Sequence, residues 1–368
     1  MDKADLNRLL TTLAELDGSD LHIKAGSPPK ARIAGVLRPM EGEPACSPND
    51  TEILAYDIMP ANAAEKFTLH HEADFAYSVP GVGRFRVNAY RQRGSAALAM
   101  RRVRTSVSSI EELGLPDTVL KLADEQRGLV LVTGPTGSGK TTTLATMIDH
   151  INNTRSCHVI TIEDPVEYLH RDRLASIDQR EVGIDTDSFI DAMRVALRQD
   201  PDVILVGEIR DPETVYAALT AAETGHLVLS TLHTVNATAT INRIVDFFPP
   251  HQQSQIRVSL AETLKGIICQ RLVPKADGTG RVPALEVMIS NGRIQQCIVD
   301  PLHTSDISQI ITEGEYYGMR SFDQSLAELL KGGTISLPAA MASSSNPHDL
   351  KVMLERMGIL SSGRMARG

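Results

Sequence analysis

The chain has 368 residues, of which 42% are hydrophobic and 23% charged, and its formal net charge is −9. This length suggests about two domains, and the composition is that of a globular protein rather than a disordered or fibrous one. The acidic balance argues against a dedicated nucleic-acid-binding protein, which would usually carry an excess of basic residues.

The first hundred residues predict a small α+β domain. Leucines at helical spacing over 5–16 predict an amphipathic helix, and Ser47 is placed to cap a second helix over 50–58. Alternating apolar and polar residues predict strands at 21–24, 31–37, 74–79, 84–90 and 96–103. We therefore place one domain at 1–103 and a polar, serine-rich linker at 104–109.

The second part of the chain alternates between helices and short apolar strands. The strands are predicted at 129–132, 158–162, 203–206 and 226–230. This alternation is typical of an open, mostly parallel α/β sheet. From residue 236 onward the pattern is mainly helical, with helices predicted at 236–246, 251–270, 292–299, 304–313 and 321–331. We assign 110–341 to an α/β domain with C-terminal helices and 342–368 to a C-terminal tail.

The location of the protein and the state of its thiols can also be predicted. The polar start has no signal-peptide core, and no apolar run reaches the roughly 18 residues of a spanning helix. We expect a cytoplasmic protein that meets a membrane only through partners. The cysteines are far apart and form no C-x-x-C pair, which predicts buried free thiols rather than a zinc or redox site. They are Cys46, Cys157, Cys269 and Cys297.

The stretch 134–141 has the pattern G-x-x-x-x-G-K-T of a phosphate-binding P-loop. Four apolar β-formers precede it and a helical pattern over 141–151 follows, which is the context that the motif requires. We expect Lys140 to reach the β- and γ-phosphates of a nucleoside triphosphate and the Thr141 hydroxyl to bind Mg²⁺. The predicted nucleotide-binding residues are Gly134, Pro135, Thr136, Gly137, Ser138, Gly139, Lys140, Thr141 and Thr142.

Two acidic segments follow predicted strands, at the edge where doubly wound sheets bind ligands. Glu163 is the first residue after the strand at 158–162, and a carboxylate there can orient and deprotonate an attacking water. Glu163 is our candidate base and Glu167 the alternative, while a solvated acidic turn is the simpler interpretation. Glu208 follows the strand at 203–206, in the place of the acid that organises Mg²⁺ in P-loop enzymes.

A histidine and a group of arginines complete the candidate residues. His233 follows the strand at 226–230 and can hydrogen-bond a γ-phosphate, although a lone histidine is more often structural. Strand alternation places Arg84 and Arg86 on one face of the N-terminal domain. An arginine finger, a solvated face and a nucleic-acid patch are all open interpretations of this basic group. Its members are Arg84, Arg86, Arg91, Arg93, Arg101, Arg102 and Arg104.

These motifs, in this order, resemble the secretion ATPase superfamily of RecA-like hexameric motors. The segments G-S-D-L-H at 18–22 and G-R-F-R-V-N at 83–88 resemble the N-terminal domain of the pilus retraction ATPases, the PilT family. The segment T-I-E-D-P-V-E at 161–167 resembles the acidic box of that family. The segments 200–211 and 220–234 resemble its Walker B region and its histidine box.

The resemblance implies a RecA-like α/β core with a smaller, PAS-like N-terminal domain, assembled as a homohexamer with ATP between the domains. It implies Glu163 as base, Glu208 as Walker B acid, His233 as γ-phosphate sensor, and Arg86 and Arg101 as arginines that reach the nucleotide. The implied work is Mg²⁺-dependent ATP hydrolysis that disassembles pili and produces twitching motility. The implied partners are an inner-membrane platform protein and the pilus machinery, at the inner face of the cytoplasmic membrane.

Three alternatives remain open. Retraction ATPases carry A-I-R-N-L-I-R-E near the C-terminus, and the matching stretch at 292–300 keeps the helix but not the arginine and the Asn-Leu pair. A divergent or accessory pilus ATPase fits this departure, although the chain lacks the tetracysteine module and longer N-terminal extension of assembly and secretion ATPases. A nucleic-acid translocase on the same core is disfavoured by the acidic balance. A non-hydrolysing scaffold would lack a base or a metal acid, but Glu163 and Glu208 are both present.

Overall fold

A computed structural model of the chain describes residues 1–103 and 106–360. Part of the linker predicted at 104–109 and the last eight residues of the predicted tail lie outside the described residues. The contacts divide the chain into two compact units, Met1–Ser106 with Glu167–Leu169 and Val107–Val166 with His170–Gly368.

The first unit combines helices with an antiparallel sheet. Its helices are α1 (Lys3–Glu15), α2 (Pro48–Ile58) and α3 (Ala61–His70). Its strands are β1 (Asp20–Lys24), β2 (Lys30–Ile33), β3 (Val36–Pro39), β4 (Glu72–Val79), β5 (Gly83–Gln92) and β6 (Ser95–Arg102). The strands form one sheet in the order β3-β2-β1-β6-β5-β4, and each neighbouring pair is antiparallel.

Local sequence signals explain the predicted helices of this unit. Asp2 and Asp5 form a reciprocal capping box at the start of α1, and Ser47 and Asp50 form another at the start of α2. One face of α1 is fully buried in the core of the unit. Its leucines are Leu6, Leu9, Leu10 and Leu13. Both helices are therefore held by their caps and by an apolar face, as the spacing predicted.

Two predictions for this unit were wrong or incomplete. The strand predicted at 31–37 is a hairpin of β2 and β3, because Ala34 and Gly35 adopt positive φ angles of 47° and 80°. Such a left-handed pair is the usual two-residue link between antiparallel strands. Helix α3 was missed, because its buried apolar residues are only Ala63 and Phe67 and its apolar stripe is weak.

The second unit contains a larger sheet and the remaining helices. Its strands are β7 (Gly128–Thr133), β8 (His158–Glu163), β9 (Ser176–Glu181), β10 (Val203–Val206), β11 (Leu227–Leu232), β12 (Leu264–Pro274) and β13 (Arg281–Ile289). Its first helices are α4 (Ile110–Leu113), α5 (Thr118–Ala123), α6 (Lys140–Thr154), α7 (Phe189–Ala196), α8 (Pro212–Glu223), α9 (Ala237–Asp246) and α10 (Pro250–Thr263). The later helices are α11 (Gly292–Val299), α12 (Ile307–Glu313), α13 (Phe322–Lys331), α14 (Leu337–Ser343) and α15 (Pro347–Arg356), with 3₁₀ turns at Thr304–Asp306 and Glu315–Tyr317.

The sheet of the second unit has the order β13-β12-β7-β11-β10-β8-β9. All neighbouring pairs are parallel except β12 and β13, which form an antiparallel pair. Both faces of β7 are buried: Leu129 and Leu131 pack in one apolar cluster, and Val130 and Val132 pack in another. Burial on two faces explains why this strand is a continuous apolar run without alternation.

The helix predicted at 251–270 was wrong in its second half. Helix α10 ends at Thr263, and the chain continues as β12, which pairs with β7. Strand β13 was missed with it, and so was the polar strand β9 at the other edge of the sheet. A short apolar run such as 266–269 fits a buried strand as well as a buried helix, so periodicity alone could not separate the two.

Part of the segment predicted as a tail is packed against the second unit. Helix α15 begins at Pro347 after an Asn346 cap. Leu350 and Leu354 are fully buried in the larger apolar cluster of the unit. Residues 347–356 therefore contribute to the core.

Candidate functional site

The P-loop joins the buried strand β7 to helix α6. Gly134, Gly137 and Gly139 have φ angles of 145°, 77° and 92°, a conformation that residues with a Cβ rarely adopt. Gly139 is the N-cap of α6, so the first turn of the helix faces the loop. The sequence motif thus forms a loop that ends at a helix N-terminus, the arrangement that binds phosphate groups.

Three side chains of the loop segment are placed to act on a bound anion. Lys140 is buried, and its Nζ donates to the carbonyl oxygens of Gly134 at 3.0 Å and Pro135 at 3.2 Å. Ser138 is buried, and its Oγ has no hydrogen-bond partner among the described residues. Thr141 lies in the first turn of α6 and is partly exposed. The loop therefore offers an ammonium group and hydroxyl groups beside its backbone N–H groups.

Glu163 is the last residue of β8 and is buried. Its Oε1 accepts hydrogen bonds from the Thr161 hydroxyl at 2.7 Å and from the Gln179 amide at 3.2 Å. These bonds fix the orientation of the carboxylate at the end of the strand. The alternative candidate, Glu167, is exposed.

Glu208 and His233 are paired directly. His233 Nε2 lies 3.1 Å from Glu208 Oε1, and Arg210 donates to Glu208 Oε2 at 2.8 Å. Burial opposes ionisation of Glu208, but Arg210, His233 and Lys140 outweigh it, so the pKa of Glu208 is lowered. Glu208 is therefore an ionised carboxylate that lies close enough to the P-loop lysine to be influenced by its charge.

The sheet order brings these groups to one edge. Strands β7, β11, β10 and β8 are consecutive neighbours and parallel, so their carboxyl ends lie on the same side of the sheet. Thr133 pairs with Leu232, and Val206 pairs with both Ser230 and Ile162, so the strands end at similar levels. The P-loop, His233, Glu208 and Glu163 thus follow one another along this edge. It is the edge at which doubly wound sheets bind their ligands.

Hydrogen bonds between strand ends hold this edge in place. Gly207 N donates to Ile162 O at 2.8 Å, and the Thr231 hydroxyl donates to Gly207 O at 2.7 Å. The segment that carries Glu208 is therefore fixed from both sides.

The candidate arginines lie in the first unit, on neighbouring strands. Arg86 of β5 is directly opposite Arg101 of β6, and Arg101 is directly opposite Asp20 of β1. Arg101 Nε donates to Asp20 Oδ1 at 2.8 Å, and both Arg86 and Arg101 are exposed. Like charges placed opposite each other on neighbouring strands repel, so the pairing of Arg86 with Arg101 is unfavourable for the fold. The carboxylate of Asp20 offsets part of this repulsion.

Three other arginines of the basic group are engaged elsewhere or lie outside the described residues. Arg91 forms a two-point ion pair with Glu52 and stacks over Phe67, which is a structural role. Arg102 pairs with Asp17. Arg104 lies outside the described residues. The predicted pair Arg86 and Arg101 is thus distinguished from Arg91 and Arg102 by its exposed, adjacent placement.

Sequence reasoning missed the residues of β12 and β13 that border the P-loop. Cys269 is directly beside Thr133 of β7 and opposite Glu286 of β13. Glu286 Oε1 accepts from the backbone N–H of Ala237 at 2.8 Å, at the start of α9. A polar residue directly after an apolar run, the signal that identified Glu163, is also present at Gln270. The wrong helix prediction concealed it.

Burial governs the ionisation of Cys269 and Glu286. Burial and the neighbouring Glu286 raise the pKa of the Cys269 thiol well above its usual range. Burial also raises the pKa of Glu286, although the Ala237 N–H bond opposes the shift. Both groups therefore keep their protons to a higher pH than usual, beside the P-loop strand.

The fold and this edge define a P-loop ATPase with a mostly parallel core sheet and a second, antiparallel sheet. The chain matches the Type II/IV secretion system protein family over residues 5–321. Since this match covers most of the chain, the protein belongs to that family and is an ATP-hydrolysing enzyme.

Individual relatives support this family assignment over nearly the full length of the chain. The chain is 45% identical to the type IV pilus retraction ATPase PilT of Pseudomonas aeruginosa, over 94% of this chain and 99% of the relative. It is 40% identical to the type IV pilus ATPase PilU of the same organism, over 95% and 91%. A crystal structure of the pilus retraction motor PilT with bound ADP has a TM-score of 0.86 at 46% identity, covering 95% of this chain and 99% of that one. The predicted family and fold class are therefore confirmed.

Proposed function

We propose that this chain is an ATPase motor that powers the retraction of type IV pili and works as a homohexamer. The observation that supports it most is that the P-loop, Glu163, Glu208 and His233 lie along one edge of a chain that is similar over its whole length to a retraction motor. A twitching motility protein of Neisseria gonorrhoeae is also 42% identical, over 88% of this chain.

Each residue of the edge has a part in hydrolysis. The P-loop N–H groups and Lys140 bind the β- and γ-phosphates of ATP. Glu163, oriented by Thr161 and Gln179, positions the attacking water and accepts its proton. His233 hydrogen-bonds the γ-phosphate, and its contact with Glu208 links that bond to the neighbouring strand.

The residues present fit a magnesium ion. Bound with ATP, Mg²⁺ neutralises charge on the phosphate oxygens during transfer. Thr141 and Glu208 would hold it, directly or through water, and the lowered pKa of Glu208 keeps that carboxylate ionised. Two protein ligands are enough for such an ion, because Mg²⁺ usually keeps several waters and takes further oxygens from the substrate phosphates.

Arg86 and Arg101 would supply the positive charge that stabilises the transferring phosphoryl group. They are exposed and adjacent on β5 and β6, and Asp20 holds Arg101 by its Nε. An arginine outside the P-loop unit can respond to whether the γ-phosphate is present, because hydrolysis removes part of the charge that it binds.

The proposed partners are further copies of this chain, an inner-membrane platform protein and the pilus machinery. In the part of the chain that the structure describes, no helix is long and apolar enough to cross a bilayer. We place the protein in the cytoplasm, at the inner face of the cytoplasmic membrane, with its contact to the membrane made through the platform protein.

One observation favours a second candidate, an accessory pilus ATPase. The segment that departs from the retraction pattern does form a helix, α11, with Ile294, Cys297 and Ile298 buried. The predicted helix is thus kept, although it does not carry the arginine and the Asn-Leu pair of the retraction pattern. PilU, to which the chain is 40% identical, is also named a type IV pilus ATPase.

Deletion of the gene followed by counting of surface pili tests the proposal. We expect hyperpiliated cells that have lost twitching, rescued by the wild-type gene but not by the Lys140→Ala variant. Bald cells would contradict retraction and indicate assembly. Normal pilus numbers with weakened twitching would indicate the accessory role. Light scattering of the purified protein with an ATP analogue should give a mass near six times 40.0 kDa.

A further inference from the structure

Gln270 lies where β12 passes the start of the P-loop. Cys269 is the last β12 residue in register with β7, where it faces Thr133, so Gln270 is alongside Gly134. A Cβ at Gly134 would lie 2.3 Å from the Gln270 backbone oxygen. The loop therefore starts against the β12 backbone, and this close approach requires a glycine.

The Gln270 side chain reaches the other end of the same loop. It is 3% exposed, and its Oε1 accepts from the Thr143 hydroxyl of α6 at 2.8 Å. A Cβ at Gly139 would lie 2.8 Å from Gln270 Nε2, so the amide lies directly against the N-cap of the helix. One residue thus touches both glycines that begin and end the loop.

These contacts restrain the P-loop from a neighbouring strand. A glycine-rich loop loses much conformational freedom when it is ordered, and a site that is ordered in advance binds its ligand more tightly. The P-loop glycines carry no side chains of their own to fix them. A buried amide that bonds α6 and packs on Gly139 supplies that restraint from a neighbouring strand.

We propose that Gln270 is a positioning residue for nucleotide binding, which acts through the Thr143 bond and its contact with Gly139 to keep the P-loop in its binding conformation. This inference rests on the proposed function, since it deepens the role of the same ATP site. Nothing in the P-loop motif itself indicates Gln270, because it lies 130 residues after Lys140.

The test measures binding of a non-hydrolysable ATP analogue with Mg²⁺ to the full-length protein by calorimetry. Gln270→Leu removes the amide at similar size, and Thr143→Val removes the hydroxyl while keeping the shape. We expect each to weaken binding about tenfold, or about 1.4 kcal/mol, with KM for ATP raised and kcat changed much less. Thr143→Ser should restore affinity to near the wild-type value.

Thr146→Val is the matched control. Thr146 is a buried threonine one turn further along α6, and its hydroxyl donates to Ser108 O and Thr142 O instead of to β12. It should lower the melting temperature without changing analogue affinity.

The outcomes separate this inference from the proposed function. If Gln270→Leu and Thr143→Val lower the melting temperature like the control but bind the analogue within twofold of wild type, Gln270 only packs the core. If Gln270→Leu does not fold, Thr143→Val and Thr143→Ser decide the question by themselves. A wild-type protein that binds no analogue would instead overturn the proposed ATP site.

Discussion

The two sheets of the molecule carry their candidate residues in different ways. In the parallel sheet of the second unit, each candidate residue lies at the end of a strand or shortly after it, and the strands β7, β11, β10 and β8 all end at one edge. In the antiparallel sheet of the first unit, Asp20, Arg101 and Arg86 lie in a row across three neighbouring strands.

The difference follows from strand direction. Parallel strands all end on the same side of the sheet, so the residues that follow them lie at one edge. This placement can be predicted from the sequence without the pairing register. Antiparallel strands end on alternate sides, so a functional row must run across the face, and a shift of one residue would move every side chain to the other face. The edge of the parallel sheet therefore gathers groups from distant parts of the sequence, whereas the face of the antiparallel sheet is an exposed charged surface.

The largest expected effect is at the parallel edge. Lys140→Ala should abolish ATP turnover, because it removes the charge that the P-loop places beside the phosphates. Steady-state phosphate release measures this, with Lys331→Ala, an exposed lysine at the end of α13, as the control. Turnover within about twofold of wild type would mean that the edge is not the nucleotide site.

The corresponding test of the antiparallel face is the double variant Arg86→Ala/Arg101→Ala. A finger-type arginine is worth about 10³-fold in turnover. We expect the double variant to approach this loss and each single variant to lose less, since the neighbouring arginine remains. Arg38→Ala on β3 is the exposed control. Light scattering checks that the double variant still assembles. If it assembles and its turnover equals that of wild type, the two arginines are only part of a basic surface.

Glu163→Gln tests which carboxylate of the edge is the base. Turnover should fall by about 10²-fold or more while ATP binding is kept, because the amide preserves the shape but cannot accept a proton. Glu167→Gln is the matched variant, on an exposed carboxylate four residues further along. Normal hydrolysis by the first variant and slow hydrolysis by the second would transfer the role to Glu167.

The smallest effect concerns stability and pH. Because the pKa of Glu208 is lowered in the fold, its ionised form stabilises the protein above its usual pKa of about 4.3, and this contribution is lost as the pH falls through the lowered value. The melting temperature of wild type relative to Glu208→Gln should therefore fall as the pH is lowered from 7 to 3. Glu213→Gln, on the exposed start of α8, should show no such trend.

The sequence was sufficient to predict which residues lie at the edge of the parallel sheet, because the sequence signals for them are local. An apolar run followed by a glycine-rich loop or an acid gives both the strand and the residue at its end, as at Lys140 and Glu208. It was not sufficient where local signals conflict with tertiary pairing. Residues 264–270 continue from a helix without a turn residue, and pairing with β7 and β13 makes them a strand.

The arginine row shows a further limit. Alternation predicted that Arg84 and Arg86 share a face, but the pairing of Arg86 with Arg101 and of Arg101 with Asp20 depends on register. Register is set by turns and by burial of whole strands, so one chain's pattern could not specify these neighbours. The roles of the arginines stay a prediction.

The burial of Cys269 gives the protein a built-in reporter of opening. The thiolate is the form that reacts, and the raised pKa of this fully buried thiol suppresses it while the sheet is closed. An alkylating reagent would therefore modify the partly exposed Cys157 first and reach Cys269 only when the apolar packing around Cys269 opens. The rate at which a thiol reagent labels Cys269 would report how often this packing opens beside the P-loop strand, and bound ATP should slow the labelling.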